Sequence, residues 1–172
     1  MATLIGYKPG TTLSWMASGG DKVIALANLA VGAVAQSDKS ATFLNAAGQL
    51  PAFIRWRFES AVNVAAVTGK EIVLHVGQSD SGTVGVNNPG GLNGASGVLA
   101  SGVELLNQMD RIGSLVLSNA RGTNMQRVWL TSYPRLPFQI PVVFNDSGQP
   151  LISTAVTHAI FATPYYQYVD VI

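Results

Sequence analysis

Residues 138–164, FQIPVVFNDSGQPLISTAVTHAIFATP, decide the class of fold. Apolar side chains recur at every second position, Phe138, Ile140, Val142 and Phe144, with Gln139, Pro141 and Val143 on the opposite face. That period of two is the period of a β-strand. Asn145-Asp146-Ser147-Gly148 follows, a cluster suited to a tight reversal because Asn and Asp tolerate left-handed geometry and Gly has no Cβ to resist it. After Gln149-Pro150 the chain returns through 154–163, rich in β-branched and aromatic residues. The two runs are expected to form a hairpin, or neighbouring strands of one antiparallel sheet. Pro141 cannot donate to a ladder, which places its strand at an edge or a bulge.

The same alternation recurs upstream. In 52–60, Ile54, Trp56 and Phe58 share one face and Phe53, Arg55, Arg57 and Glu59 the other, so one face meets a core and the other meets water or a partner. Arg55 and Arg57 could grip a phosphate or carboxylate, although two arginines two apart on a strand are more commonly a solvated face. In 70–78, Ile72, Leu74 and Val76 point inward while Val73 and His75 point away. Strands are also expected over 111–118 and 125–132, with a turn at Asn119-Ala120-Arg121-Gly122. Residues 21–35 read as strand and turn, 36–41 as a polar connector, and 165–172 as a last strand. Residues 79–97, SDSGTVGVNNPGGLNGASG, form a long loop of small residues, a kind that is usually functional or mobile. About eight short β runs with turn signals between them imply an all-β, antiparallel β-sandwich, jelly-roll-like in character.

Ahead of this body, residues 1–20 carry Pro9-Gly10 and Gly19-Gly20 around a short apolar patch. They read as an extended N-terminal arm, leaving 21–172 as one sandwich domain. The arm holds Tyr7, Leu13, Trp15 and Met16, side chains that disordered tails usually lack. It therefore docks on its own domain or on a neighbour. With Tyr165, Tyr166 and Tyr168 of the tail, these are the candidate contacts to another subunit or to a larger particle.

The charged fraction is 11% of the 172 residues, against about 25% in an ordinary soluble domain. Ten basic residues balance nine acidic ones, so the electrostatic footprint of a nucleic-acid binder is missing. Low net charge favours association over mutual repulsion. The chain has no cysteine, which removes disulfides, thiolate metal sites and Cys nucleophiles. The start MATLIGYKPG does not read as a signal peptide, and 23–35 is too short to span a membrane, so a soluble, cytoplasmically made protein is expected.

Motifs of chemistry are wanting. No phosphate-binding loop, nucleophile elbow or His-Glu-x-x-His occurs. His75 and His158 are the only histidines and stand apart, and Glu59, Glu71, Asp80, Glu104 and Asp110 are scattered over separate segments. Ser79-Asp80-Ser81 lacks the remaining ligands of a calcium loop. The expectation is a protein without catalytic, metal-binding or cofactor-binding residues. Aromatic recognition is the better candidate: Trp129 alternates against Val128 and Leu130 and so faces out, where it could stack on a sugar ring.

From Ile112 to Pro164 the order IGSLVLSN, MQRVWLTS, LPF, VVFNDSGQPL and THAIFATP resembles small virion structural proteins of tailed phages, the capsid decoration or cement proteins. DKVIALANLAVGAVAQSDK and FIRWRFE are similar to the front half of that pattern. The likeness covers 21–164 and rests on order and texture; the 79–97 loop and the aromatic tail depart from it. It implies a jelly-roll-like sandwich with no enzymatic activity, bound to the major capsid protein on the virion surface and self-associating as a trimer, or as a dimer. The alternative from the residues alone is a carbohydrate-binding module of a tail or fibre.

Overall fold

The structure, a computed structural model, describes residues 3–63, 69–100, 102–118, 124–154 and 158–171. Eleven strands fill it: β1 (Thr3–Pro9), β2 (Leu13–Met16), β3 (Lys22–Val23), β4 (Val34–Gln36), β5 (Phe53–Ser60), β6 (Glu71–Ser79), β7 (Gly97–Leu99), β8 (Asp110–Val116), β9 (Gln126–Ser132), β10 (Phe138–Asp146) and β11 (Ala159–Val171). The one α-helix among the described residues is α1, a single turn at Gly102–Leu105. The strands make two sheets. Sheet I has the order β3-β2-β11-β5-β9, with β1 also on β11, and sheet II the order β7-β4-β10-β6-β8. All pairings are antiparallel except β2 with β3.

Alternation in β5 and β6 does what the sequence predicts. Ile54, Trp56 and Phe58 of β5 meet Ile72, Leu74 and Val76 of β6 in the core between the sheets, all essentially without solvent exposure. Trp15 of β2 packs beside Trp56 with ring centroids 5.9 Å apart. Each buried indole also finds a polar partner: Trp15 Nε1 donates to the Asp38 carbonyl at 2.9 Å and Trp56 Nε1 to Ser132 Oγ at 2.7 Å. A buried aromatic with a satisfied N–H gains the area term without the cost of a stranded donor.

Strands β10 and β11 do not form a hairpin and are not neighbours, contrary to the expectation from 138–164. Strand β10 lies between β4 and β6 in sheet II, β11 between β2 or β1 and β5 in sheet I. The turn residues at 145–149 still do their local work. Asn145 is buried and its Nδ2 donates to the carbonyls of Leu29, Ala30 and Gln149, while Leu151 bridges to Val62. These contacts steer the chain across to the other sheet instead of back along the same one. Pro141 likewise sits in an interior strand. Ser37 N donates to its carbonyl at 2.9 Å just past the end of the three-residue β4, where the ladder stops and no proton is needed in return.

Sheet II is covered on both faces. The apolar face of β10, Ile140, Val142 and Phe144, points away from sheet I and packs with Val34 under Leu92, Leu99, Leu106 and Met109. The 79–97 segment and the helical turns after it are thus a cover with its own small core. Lys39 holds it down. This lysine, 3% exposed, donates from Nζ to Ser79 Oγ and to the carbonyls of Ser81, Thr83 and Val86 at 2.8–3.2 Å. Burial pushes its ammonium pKa below the ordinary lysine value. The polar connector 36–41 is largely buried: Gln36, Ser37, Lys39 and Ser40 all face inward against the 79–97 segment or β10.

Part of 1–20 is strand. Leu13–Met16 pairs with Ala159–Ala162, and Thr3–Pro9 pairs with Tyr165–Val171. The turn expected at 119–122 and the 155–157 part of the expected return strand lie outside the described residues.

Candidate functional site

Among the described residues the outer face of sheet I carries no such cover, and its residues fall into rows that the strand register fixes. Residues directly opposite on antiparallel strands point to the same face. In the first row Phe53 of β5 lies opposite Tyr165 of β11, the rings stacked at 4.8 Å and 12°, with Tyr7 edge-on to Phe53 at 5.2 Å. In the second, Arg55 lies opposite Thr163 on one side and Thr131 on the other, and Thr163 Oγ1 shares a 2.7 Å hydrogen bond with Thr12 Oγ1. In the third, Arg57 lies between Phe161 and Trp129. In the fourth, Glu59 is flanked by Arg127.

Charge and aromatic rings are interlocked in the third and fourth rows. The Arg57 guanidinium sits 3.9 Å over the Phe161 ring, and those of Arg55 and Arg57 each lie 5.7 Å from the Trp129 centroid. Stacking of this kind holds a planar cation in place without neutralising it. Glu59 is almost buried and takes Arg57 Nε at 3.2 Å and Arg127 Nε at 2.9 Å, so the one carboxylate of these rows is occupied by two cations. Arg55, exposed, has no ion pair among the described residues. Trp129 is 56% exposed and Tyr133, just past β9, 74%.

The sequence candidates divide between this face, a ribbon and the core. Tyr7, Tyr165 and Trp129 come together on the outer face of sheet I. Tyr168, 41% exposed, lies on the β1–β11 ribbon against Gly6, where a Cβ would come within 2.5 Å of its ring. Leu4, Ile5 and Val169 are exposed on the same ribbon. Tyr166 turns inward and donates from its hydroxyl to the Phe43 carbonyl at 2.6 Å, and burial raises its phenol pKa. Trp15 is wholly inside the core, Leu13 packs against that core, and Met16 is half-buried. The alternation in 52–60 marks Arg55 and Arg57, and nothing in it marks Phe161, Thr163 or Arg127 beside them. Only the pairing of β5 with β9 and β11 joins these residues.

His158 and His75 serve the interior. His158 is buried, with Nε2 2.9 Å from the Ile152 carbonyl and Nδ1 2.9 Å from Ser60 Oγ. Among the described residues no three His, Asp or Glu side chains gather where they could hold a metal ion. Among the same residues no helix is long and apolar enough to cross a membrane.

No protein-family model matches this chain, and no curated protein sequence matches it significantly. What the site can do is therefore argued from its geometry. A sheet face with stacked arginines and exposed aromatics, uncovered among the described residues, has the composition of a binding surface.

Proposed function

We propose that this protein is a non-enzymatic virion structural protein of a tailed phage, which attaches to the capsid exterior and bridges shell subunits. The observation that supports this reading most is the contrast between the two sheets. Leu92, Leu99, Leu106 and Met109 cover the outer face of sheet II, whereas the outer face of sheet I is aromatic and has no such cover among the described residues. In this reading the sheet I face contacts the major capsid protein. The β1–β11 ribbon joins copies into a trimer, or a dimer, about a local symmetry axis. Repeated weak contacts over a shell then add up to stable attachment. The jelly-roll-like connectivity and the location on the virion surface belong to the same proposal.

The test is co-sedimentation of purified protein with intact phage heads. Deleting residues 1–20 is a poor probe, because it removes the core residue Trp15. Tyr7→Ala with Trp129→Ala leaves the core intact and is expected to weaken attachment by about tenfold or more, as for two aromatic anchors. Unchanged copy number per head in the double variant, or no sedimentation of the parent protein with heads, overturns the proposal.

Exposure of Trp129 on a flat sheet face favours a second reading, a carbohydrate-binding module. A glycan array separates the two, since saturable sugar binding lost in Trp129→Ala belongs to the second alone.

A further inference from the structure

The second row of the sheet I face differs from the rows on either side of it. Thr12, Thr163, Arg55 and Thr131 lie in line across four consecutive strands or their ends, three hydroxyls and one guanidinium. On one flank stand the stacked rings of Phe53 and Tyr165; on the other stand Phe161, Arg57 and Trp129. Rows on one face of a strand are about 6.7 Å apart, so the aromatic flanks are about 13 Å apart from axis to axis, with a polar row between them.

We infer that this row is a binding site for a carboxylate-bearing sugar, a uronic or sialic acid unit. The inference rests on the second, carbohydrate reading of Trp129, in which the sheet I face takes a sugar in place of the capsid contact, and adds the charge of the ligand. Three features select that chemistry. Arg55 has no ion pair among the described residues, and the only carboxylate of the four rows, Glu59, is four residues away along β5 and held by Arg57 and Arg127. An aligned guanidinium beside a ring stack suits a carboxylate. The threonine hydroxyls both donate and accept, as sugar hydroxyls require. The exposed indole of Trp129 offers an apolar surface for a sugar ring beside the row.

An extended acidic peptide fits less well. The row runs across strands β2, β11, β5 and β9, whereas a peptide added as a strand would lie along the open edge of β9, where Thr131 alone of the row stands. One guanidinium without an ion pair among the described residues, set among hydroxyls, matches one carboxylate on a hydroxyl-rich ligand better than a run of acidic side chains.

The test titrates the full chain with trigalacturonic acid and sialyllactose, with uncharged lactose and maltotriose, and with inorganic phosphate and a polyglutamate peptide. Indole emission is the readout. Trp15 and Trp56 are wholly buried, so ligand-dependent changes report Trp129. At least one carboxylated sugar is expected to bind and Arg55→Gln to weaken binding by about tenfold, the scale of a lost charge-assisted pair; Trp129→Ala, which lacks the reporter, is followed by titration calorimetry and is expected to lose binding. Arg111→Gln, on sheet II, is expected to leave binding unchanged. Equal binding of uncharged sugars with no effect of Arg55→Gln overturns the carboxylate assignment while the carbohydrate reading stands. No sugar binding overturns both. Phosphate or polyglutamate binding as tightly as the sugars, or an equal loss in Arg111→Gln, marks a plain basic surface and overturns the assignment.

Discussion

His158 and His75 show what single buried groups do to the balance of folding. Burial lowers the pKa of His158 against the smaller opposing pull of the Ile152 carbonyl. Burial lowers that of His75 as well, and the charge of Arg111 acts in the same sense. A histidine held neutral in the folded chain takes up a proton more readily once unfolded. Between the folded value and the unfolded value near 6.5, the unfolded state therefore binds more protons, and stability falls as the medium is acidified. The stabilising contribution is complete above about pH 6.5 and is lost as the pH drops through the folded value. Urea unfolding at pH 7.5, 6 and 5 is expected to show stability dropping by up to about 1.4 kcal/mol per pH unit for each histidine. His75→Gln is expected to make that slope shallower; a slope equal to the parent's would mean that His75 titrates alike in both states.

The segment 79–97 shows how a stretch that looks loose becomes an element. Its Gly and Asn content satisfies the backbone of a loop, and nothing in its residues alone announces a cover. The order comes from two distant partners, the Lys39 ammonium and the apolar outer face of β10. Lys39→Met removes the donor shared by the carbonyls of Ser81, Thr83 and Val86. It is expected to lower stability by about 2–4 kcal/mol, since bonds to a charged group contribute about 1.5–3 kcal/mol each and water replaces part of them. Limited proteolysis of this variant is expected to cut first within 80–97, while the parent resists there; cleavage elsewhere first would show that the lysine is not the clasp. Strands β5, β6 and β9 were readable because one face is apolar and the other is not, and β10 also declared its period. Its partner could not be read. Whether a strand's apolar face meets the facing sheet or a cover is decided by residues far away in the chain, as Leu92 and Leu106 decide it for Ile140 and Val142. The binding face was half readable for the same reason. Alternation placed Arg55, Arg57 and Trp129 outward, and only cross-strand register set Phe161, Thr163 and Thr131 beside them.

Taken whole, the molecule is a sandwich whose longest strand, β11, outruns its neighbours. Beyond Tyr165 it is paired with β1 alone, and β1 has no other partner among the described residues. A two-stranded ribbon is marginal in water by itself, and this one exposes Leu4, Ile5, Tyr7, Tyr168 and Val169. With ten basic and nine acidic residues, mutual repulsion between copies is weak. Sedimentation velocity is expected to show self-association that rises with concentration and is lost in Ile5→Lys, which places a charge on the ribbon and leaves the sandwich untouched. A parent protein that stays monomeric throughout, or an Ile5→Lys variant that associates equally, would remove the ribbon from the contact.

The pairing of Thr3 with Val171 brings these two residues to one tip of the ribbon. Tension applied between them acts across the ladder, at right angles to the strands, so the rungs are loaded one at a time. The first strand would peel away like a zipper at low force while the sandwich behind it stays shut. A tether fixed at Thr3 and Val171 would thus stretch before it broke.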